Sequence, residues 1–290
     1  MSIEIFTYLK SVQYSKIVLA VVIFIISSLL FLETGCSTDP ITKVVTDTVR
    51  VHDTTVISKS KYGMYFSGSN GYISIPNIPN VTGANSSRMV WIYVNSVPDK
   101  QQWIFGQGSR ESIIIQDNGK VAFSNLFPKG WQTIEDDSTV PTNRWMHYAA
   151  VQEVDASTTT LKLFRDGNLI NSKVVSEIIE MNSGCNLFIG GVEIGGSGDC
   201  QFKTPQSFSG FIDEVSIWSI PLTKEQINAK MKTLLTSQES GLAAYYSFEN
   251  NTGKTTTDDS GHNNTGQLSN NGVLVMPIGA PFSSKGQINH

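Results

Sequence analysis

The sequence lacks the stripe of lysine and arginine residues with which proteins hold a nucleic acid backbone. Its 290 residues include 21 basic and 25 acidic ones, and the basic residues are scattered along the chain. Because binding a phosphate backbone requires clustered positive charge, we expect no nucleic acid partner. With 40% hydrophobic residues, the chain can bury the core of one large domain or two modest ones, so it is not disordered as a whole.

Cysteine is also scarce, with three residues in the chain. Cys36 follows an apolar segment, whereas Cys185 and Cys200 enclose a Gly-rich stretch far downstream. In an oxidising compartment, a disulfide between Cys185 and Cys200 would stabilise the fold by about 3 kcal/mol through loop closure. We expect this disulfide to fix a long surface loop, the kind of segment that often carries binding surfaces. Two free thiols are the alternative.

One long apolar run interrupts an otherwise mixed sequence, at residues 17–32. Lys10 and Lys16 precede it and Glu33-Thr34-Gly35-Cys36 follows it, which is the layout of a secretory signal. The run is shorter than the roughly 20 residues that a membrane-spanning helix needs. A signal peptide over residues 1–36 is therefore favoured over a permanent transmembrane helix.

The end of this segment, Thr34-Gly35-Cys36, resembles a bacterial lipobox, in which the cysteine becomes the lipidated first residue of the mature protein. The lipobox usually has leucine or a similar aliphatic residue where this chain has Glu33. The resemblance implies lipidation at Cys36 and a membrane anchor in the cell envelope, on its periplasmic or extracellular face. A plain signal or short anchor with an idle cysteine is the alternative.

Residues 37–61 are typical of an extended linker. They contain no aromatic residue and alternate β-branched with polar side chains, so they can extend but cannot bury a core of their own. We expect this segment to act as a spacer between the membrane and the domain that follows.

From Tyr62 onward, short runs of alternating aliphatic and polar residues recur, for example at residues 71–75 and 89–94. Clusters of Gly, Asn, Asp and Pro separate them, a pattern that predicts antiparallel strands with one face in the core. Asp117-Asn118-Gly119 and Asp166-Gly167-Asn168 have the residues that tight hairpin turns require. The sequence therefore predicts an all-β fold.

One short helix is predicted near residue 223. Thr223 and Gln226 have the spacing of a capping box, in which each side chain bonds the backbone of the other residue. The apolar residues that follow share one helical stripe, which we expect to pack against the sheets. These residues are Ile227, Met231, Leu234 and Leu235.

Several segments resemble the laminin G-like domains of the concanavalin A-like lectin/glucanase superfamily. They occur in the family's order within residues 62–277, and they are residues 65–76, 144–151, 161–168, 208–218, 241–248, 259–261 and 263–266. The resemblance implies a jelly-roll sandwich of two antiparallel sheets with the first and last strands paired. Residues 278–290 then form a C-terminal tail.

The resemblance also implies a calcium ion near Asp213, completed by backbone carbonyls and loop oxygens. Ser69 and Asn70 are the loop residues that we expect to contribute. Because Asp213 and Glu214 are adjacent in a predicted strand, their side chains should point to opposite faces of the sheet. The alternative for Asp213 is a structural acid that is hydrogen-bonded to a neighbouring loop.

Several glycosidases share this architecture, but their Glu-x-Asp-x-x-Glu signature is missing. Glu135-x-Asp137 and Glu153-x-Asp155 each lack the third acid. His147 lies in a predicted strand and has no nucleophile motif near it. We therefore expect binding rather than catalysis; the alternative is a glycoside hydrolase or lyase whose acids come from separate strands.

The tryptophans suggest where a ligand would bind. Trp91, Trp145 and Trp218 lie in apolar strands and are expected in the core. Trp131 is predicted to lie in an exposed turn, where its indole could stack on a sugar ring with help from Trp103. Packing against the rim explains Trp131 equally well. Our hypothesis is a membrane-anchored, lectin-like protein that binds a glycan or a surface protein; a purely structural interaction module is a further alternative.

Overall fold

The computed structural model describes residues 60–281, apart from residues 77, 79–84, 109, 180–183, 194, 196–205 and 270–272. The described residues all belong to one compact unit, Asp53–His290. The predicted signal peptide with Cys36, the linker up to residue 59, Cys200 and the tail from residue 282 lie outside them. Within the described part of the chain, no helix has the length and apolar character needed to cross a bilayer.

The described elements are almost entirely strands. In chain order they are β1 (Gly63–Ser67), β2 (Ile73–Ile75), β3 (Ser86–Val94), β4 (Gln102–Gln107), β5 (Glu111–Ile115), β6 (Lys120–Phe127), β7 (Gly130–Thr139), β8 (Trp145–Val154), β9 (Thr159–Arg165), β10 (Asn168–Val175), β11 (Leu187–Ile189), β12 (Ser209–Trp218), α1 (Lys224–Lys230), β13 (Leu242–Tyr246), β14 (Asn251–Thr252), β15 (Thr255–Thr256), β16 (Gly266–Leu268) and β17 (Val273–Met276).

These strands form two antiparallel sheets. Sheet I has the order β10-β9-β8-β3-β12-β1-β17, with β13 also paired to β12. Sheet II has the order β14-β15-β16-β2-β11-β4-β5-β6-β7. β1 pairs with β17, from Gly63 opposite Met276 to Phe66 opposite Val273. The predicted jelly-roll, including the pairing of its first and last strands, is confirmed.

The inner faces of the two sheets share one apolar core. Val90 and Ile92 of β3 face it from sheet I, and Ile113 and Ile115 of β5 face it from sheet II, all nearly inaccessible to solvent. Burying such a side chain contributes about 1.5–3 kcal/mol relative to leaving it exposed. The alternation seen in the sequence therefore gives each strand one buried face.

The outer face of sheet I is covered by α1. The capping box is present, with the Thr223 and Gln226 side chains each bonding the other residue's backbone. Ile227 and Met231 pack with Trp218 in a second apolar cluster on this outer face. The predicted apolar stripe is wrong at Leu234, whose side chain is 47% exposed. The helix ends at Lys230, so Leu234 no longer follows the helical spacing.

β12 contains a bulge that changes the direction of its acidic residues. Asp213 is opposite Trp91 and Ser216 is opposite Met89, so Glu214 and Val215 share one partner position on β3. Glu214 has a φ of +52°, in the left-handed region. Val215 faces the core, while Asp213 and Glu214 both face outward. The prediction that the two acids point to opposite faces is wrong, because the bulge adds a residue to the alternation.

Both outward-facing acids are held by hydrogen bonds. The backbone N–H of Ala280 donates to Asp213 Oδ2 at 2.7 Å. The Tyr245 hydroxyl donates to Glu214 Oε2. Since Asp213 is fully buried and Glu214 is 6% exposed, each carboxyl group depends on these donors to offset its desolvation.

A buried ion pair connects the two sheets through the core. Arg88 of β3 and Glu111 of β5 meet with Nε–Oε1 and Nη2–Oε2 distances of 2.5 and 2.6 Å. Burial raises the pKa of Glu111 and lowers that of Arg88, while their mutual attraction opposes both shifts. Each charge is therefore tolerated in the interior only because the other is present.

Arg88→Met alone should lower the free energy of unfolding by about 3–5 kcal/mol, because Glu111 would remain as an uncompensated buried charge. Urea denaturation measures the change. The control is the double variant Arg88→Met with Glu111→Leu, which removes both charges and should recover most of the loss. A double variant less stable than the single one would contradict this account.

Candidate functional site

An open polar cleft of about 470 Å³ lies where the loop after β1, the loop before β4 and the start of β12 meet. Backbone and side-chain polar groups from all three segments face it. Its lining consists of Gly68, Asn70, Asp99, Lys100, Gln101, Gln102, Ser207 and Ser209. Its size lies within the range of small-molecule sites, about 300–1,000 Å³.

Hydrogen bonds between distant segments fix the walls of this cleft. The Asn70 N–H donates to Ser207 Oγ at 2.9 Å, and the Ser209 N–H donates to Gln102 Oε1 at 3.1 Å. Gln101 Nε2 donates to Gln206 Oε1 at 3.1 Å. A ligand would therefore meet a surface that is already organised, which reduces the entropy lost on binding.

Three side chains in the cleft have polar groups that are accessible to a ligand. The side chains of Asn70, Asp99 and Lys100 are exposed and make no hydrogen bond or ion pair with other described residues. An amide donates and accepts, a carboxylate accepts and an ammonium donates. Together they suit a ligand that carries many hydroxyl groups.

The predicted calcium ligands are not brought together. Asn70 and Ser69 lie at the cleft end of β1, where Ser67 pairs with Ser209. Along β12, Asp213 is four residues beyond Ser209, which is about 13 Å at roughly 3.3 Å per residue. The described residues contain no group of three or more His, Cys, Asp or Glu that could hold a metal. The three residues therefore do not fit one ion, and calcium binding stays a prediction.

Asp213 instead has the surroundings of a structural acid. Its Oδ1 accepts from the Glu214 N–H at 2.9 Å and its Oδ2 from Ala280. Burial raises its pKa well above the ordinary value, and these amide donors act against that rise. The carboxyl group thus connects β12 to the chain segment that follows β17.

Trp103 is not available to a ligand. Its side chain is 4% exposed, packs with Ile114 and Phe188, and donates its indole N–H to the Phe188 carbonyl at 3.1 Å. The prediction that it stacks on a sugar is therefore wrong, because its ring faces are covered on the outer side of sheet II. The two glutamines that precede Trp103 in the sequence indicate exposure, although the tryptophan itself is buried.

Trp131 is accessible, as predicted. It lies on β7 opposite Leu126 of β6, rather than in the predicted turn, and is 50% exposed. It lies at the turn of the β6–β7 hairpin, near Phe127 and Gly130. The cleft lies at the opposite end of the strands of sheet II, beside Gln102 of β4. A role for Trp131 in binding stays a prediction, and it would be on a surface separate from the cleft.

The predicted disulfide falls partly outside the described residues. Cys185 is buried, with 1% exposure, and its carbonyl accepts from Gln107 Nε2 at 2.9 Å. Cys200 is not among the described residues. The pairing of the two cysteines stays a prediction.

Residues 67–228, more than half of the chain, match the concanavalin A-like lectin/glucanases superfamily. The chain belongs to this superfamily. The match includes the segments at both edges of the cleft, Asn70 and Gln102 as well as Ser207 and Ser209. No curated protein matches the chain.

Three solved structures are similar to the chain to different degrees. A candidate carbohydrate-binding protein from Bacteroides ovatus aligns with a TM-score of 0.60 and 21% identity, over 78% of this chain and 62% of that one. The heptameric SAP-like pentraxin of Limulus polyphemus gives 0.48 and 13%, over 76% and 96%. The CBM40 of the Ruminococcus gnavus IT-sialidase, bound to α2,3-sialyllactose, gives 0.44 and 16%, over 59% and 98%.

Three of the four acids in the two near-misses of the glycosidase signature pair with cations. Glu135 pairs with Lys120 at 3.1 Å, and Glu153 pairs with Lys162 at 2.6 Å. Asp137 lies 3.3 Å from Arg165. Neither near-miss of the glycosidase signature lines the cleft.

His147 is buried in β8 and contacts Trp91 edge-on, with ring centroids 5.3 Å apart. Burial lowers the pKa of His147 to about 3. A neutral, enclosed imidazole is consistent with a structural role. Its low pKa means that the folded protein resists protonation at this position.

This burial predicts a specific loss of stability in acid. The unfolded chain protonates His147 below a pKa of about 6.5, whereas the folded chain does so only near 3. Stability is therefore full above pH 6.5 and falls as the pH drops towards 3. Between pH 7.5 and 5, the unfolding free energy of the natural protein should fall by about 2 kcal/mol more than that of His147→Gln.

Urea denaturation of both proteins at the two pH values measures this difference. Glu214 and Lys230, which line the same small space as His147, are present in both proteins, so their own contributions largely cancel. His262→Gln is the matched control, because it removes an exposed imidazole instead. If the difference in unfolding free energy between the natural protein and His147→Gln does not change with pH, the prediction is wrong.

Proposed function

We propose that this protein is a non-catalytic, lectin-like binding protein that holds a glycan in the polar cleft. The observation that carries the proposal is the free amide, carboxylate and ammonium of Asn70, Asp99 and Lys100, held over a pre-organised wall. Sugars are recognised mainly by hydrogen bonds to their hydroxyl groups, and this set offers both donors and acceptors. The structural likeness to the candidate carbohydrate-binding protein of B. ovatus supports the same assignment.

A glycoside hydrolase or lyase is the alternative for this fold. Both mechanisms of glycoside hydrolysis use two carboxyl groups, about 5–9.5 Å apart, across the scissile bond. Among the described residues that line the cleft, Asp99 is the one carboxylate. Binding is therefore the better supported function, and release of reducing ends from a bound glycan would overturn it.

Asn70→Gly should weaken glycan binding roughly three- to tenfold, since it removes one neutral hydrogen-bonding group. Glycine suits this position because Asn70 has a φ of +56°, so the backbone and its bond to Ser207 should persist. The measurement is a glycan array with the full chain in detergent, followed by titration of the best ligand, with calcium and with chelator.

Trp131→Ala is the matched comparison, because it changes an exposed group on the other surface. Loss of affinity with Asn70→Gly alone supports the cleft, and loss with Trp131→Ala alone would move the site to the β6–β7 hairpin. Binding that chelator abolishes would support calcium. If no glycan binds under either condition, the proposal fails and a surface protein becomes the favoured partner.

We further propose that the protein is attached to the cell envelope through a lipid on Cys36, on the periplasmic or extracellular face. The layout of residues 1–36 supports this proposal. Lipid attachment through more than one acyl chain gives durable membrane binding. The linker of residues 37–61 would then separate the cleft from the membrane surface.

Cys36→Ser should move the protein from the membrane fraction to the soluble fraction and abolish incorporation of a labelled fatty acid. The physical reason is that the acyl chains, rather than residues 17–32, would hold the mature protein. Fractionation after metabolic labelling measures both effects, with Cys185→Ser as the control for labelling. A Cys36→Ser protein that stays in the membrane would favour the transmembrane alternative.

A further inference from the structure

A small space lies between the outer face of sheet I and the end of α1, away from the cleft. Its volume is about 10 Å³. Trp91 of β3, His147 of β8 and Glu214 of β12 form its sheet side, and Met231 and Leu235 contribute from the α1 side. Three strands and the covering helix segment therefore meet at this point.

Three of the residues that line this space have a buried polar atom with no hydrogen-bond partner among the described residues. These atoms are Trp91 Nε1, His147 Nδ1 and Glu214 Oε1. The three residues are only 1%, 1% and 6% exposed. Buried polar atoms are nearly always hydrogen-bonded, to protein or to ordered water, so three orphaned atoms around one space indicate a shared partner.

The chemistry of the three atoms defines that partner. The indole N–H of Trp91 can only donate, so the partner must accept, which excludes a metal or ammonium ion. Glu214 Oε1 disfavours an anion. The partner must be neutral, able both to accept and to donate, and no larger than one small molecule, because a space of roughly 10–15 Å³ holds a single water.

We propose that one ordered water molecule is a built-in component of the fold at this point, bridging Trp91, His147 and Glu214. It accepts from the Trp91 indole and donates to the carboxyl group of Glu214 and to the imidazole of His147. The proposal is independent of glycan binding, because none of these residues lines the cleft.

The bulge in β12 explains how Glu214 reaches this water. Its left-handed backbone, with φ of +52°, turns Glu214 outward while Val215 returns to the core. The hydroxyl of Tyr245 holds the other carboxyl oxygen and leaves Oε1 for the water. Without a partner for Oε1, this uncommon backbone conformation would place a carboxyl oxygen in this space with nothing to bond.

A crystal structure of the full chain at a resolution that shows ordered waters tests the proposal directly. We expect one density peak at roughly 2.7–3.2 Å from each of the three atoms. An empty space, or a direct hydrogen bond between any two of these side chains, would overturn it.

A measurement in solution gives an independent test. Labelling the indole nitrogens with ¹⁵N yields signals from only five tryptophans, and the Trp91 N–H should show a nuclear Overhauser effect to a long-lived water. Trp103 is the internal control, because its buried indole donates to the Phe188 carbonyl and should show none. Absence of the effect at Trp91 would count against the water.

Two variants of Glu214 test whether the water molecule bonds to this side chain or only lies near it. Glu214→Gln retains a carbonyl oxygen at this position and should retain the Trp91 signal. Glu214→Gly accepts the left-handed backbone but removes the acceptor, and should reduce or abolish the signal. Equal water signals in both variants would overturn the role of Glu214.

Discussion

Burial of the inner faces of two antiparallel sheets in one apolar core is the interaction on which the rest of this structure depends. Residues such as Val90 and Ile113 meet there from opposite sheets. Their burial offsets the entropy lost in ordering the strands. Because the core fixes both sheets, the loops at their ends are held in place, and the cleft is built from those loops.

β12 shows how the fold accommodates charge close to this core. Its bulge turns Asp213 and Glu214 to the same outer face, where backbone amides and a tyrosine hydroxyl bond to them. These acids are buried under other parts of the chain, so they bond within the structure rather than face a ligand. Acidic residues in this strand are therefore poor indicators of catalysis in this protein.

The division between a rigid sandwich and polar loops agrees with a binding function. Binding residues commonly lie on loops positioned by a rigid scaffold. Here Asn70, Lys100 and Ser207 come from three separate loops, and bonds such as that of Asn70 to Ser207 hold those loops together. Specificity would then depend on which hydroxyl groups of a ligand these side chains can reach.

The sequence by itself determined the all-β class, the hairpin turns at Gly119 and Gly167 and the capped helix, because each depends on local periodicity or turn chemistry. Only the tertiary structure decided that Trp103 is covered, that Glu214 turns outward and that Asn70 meets Ser207. These features depend on strand register and on contacts between residues far apart in the chain, and neither is encoded in a local pattern.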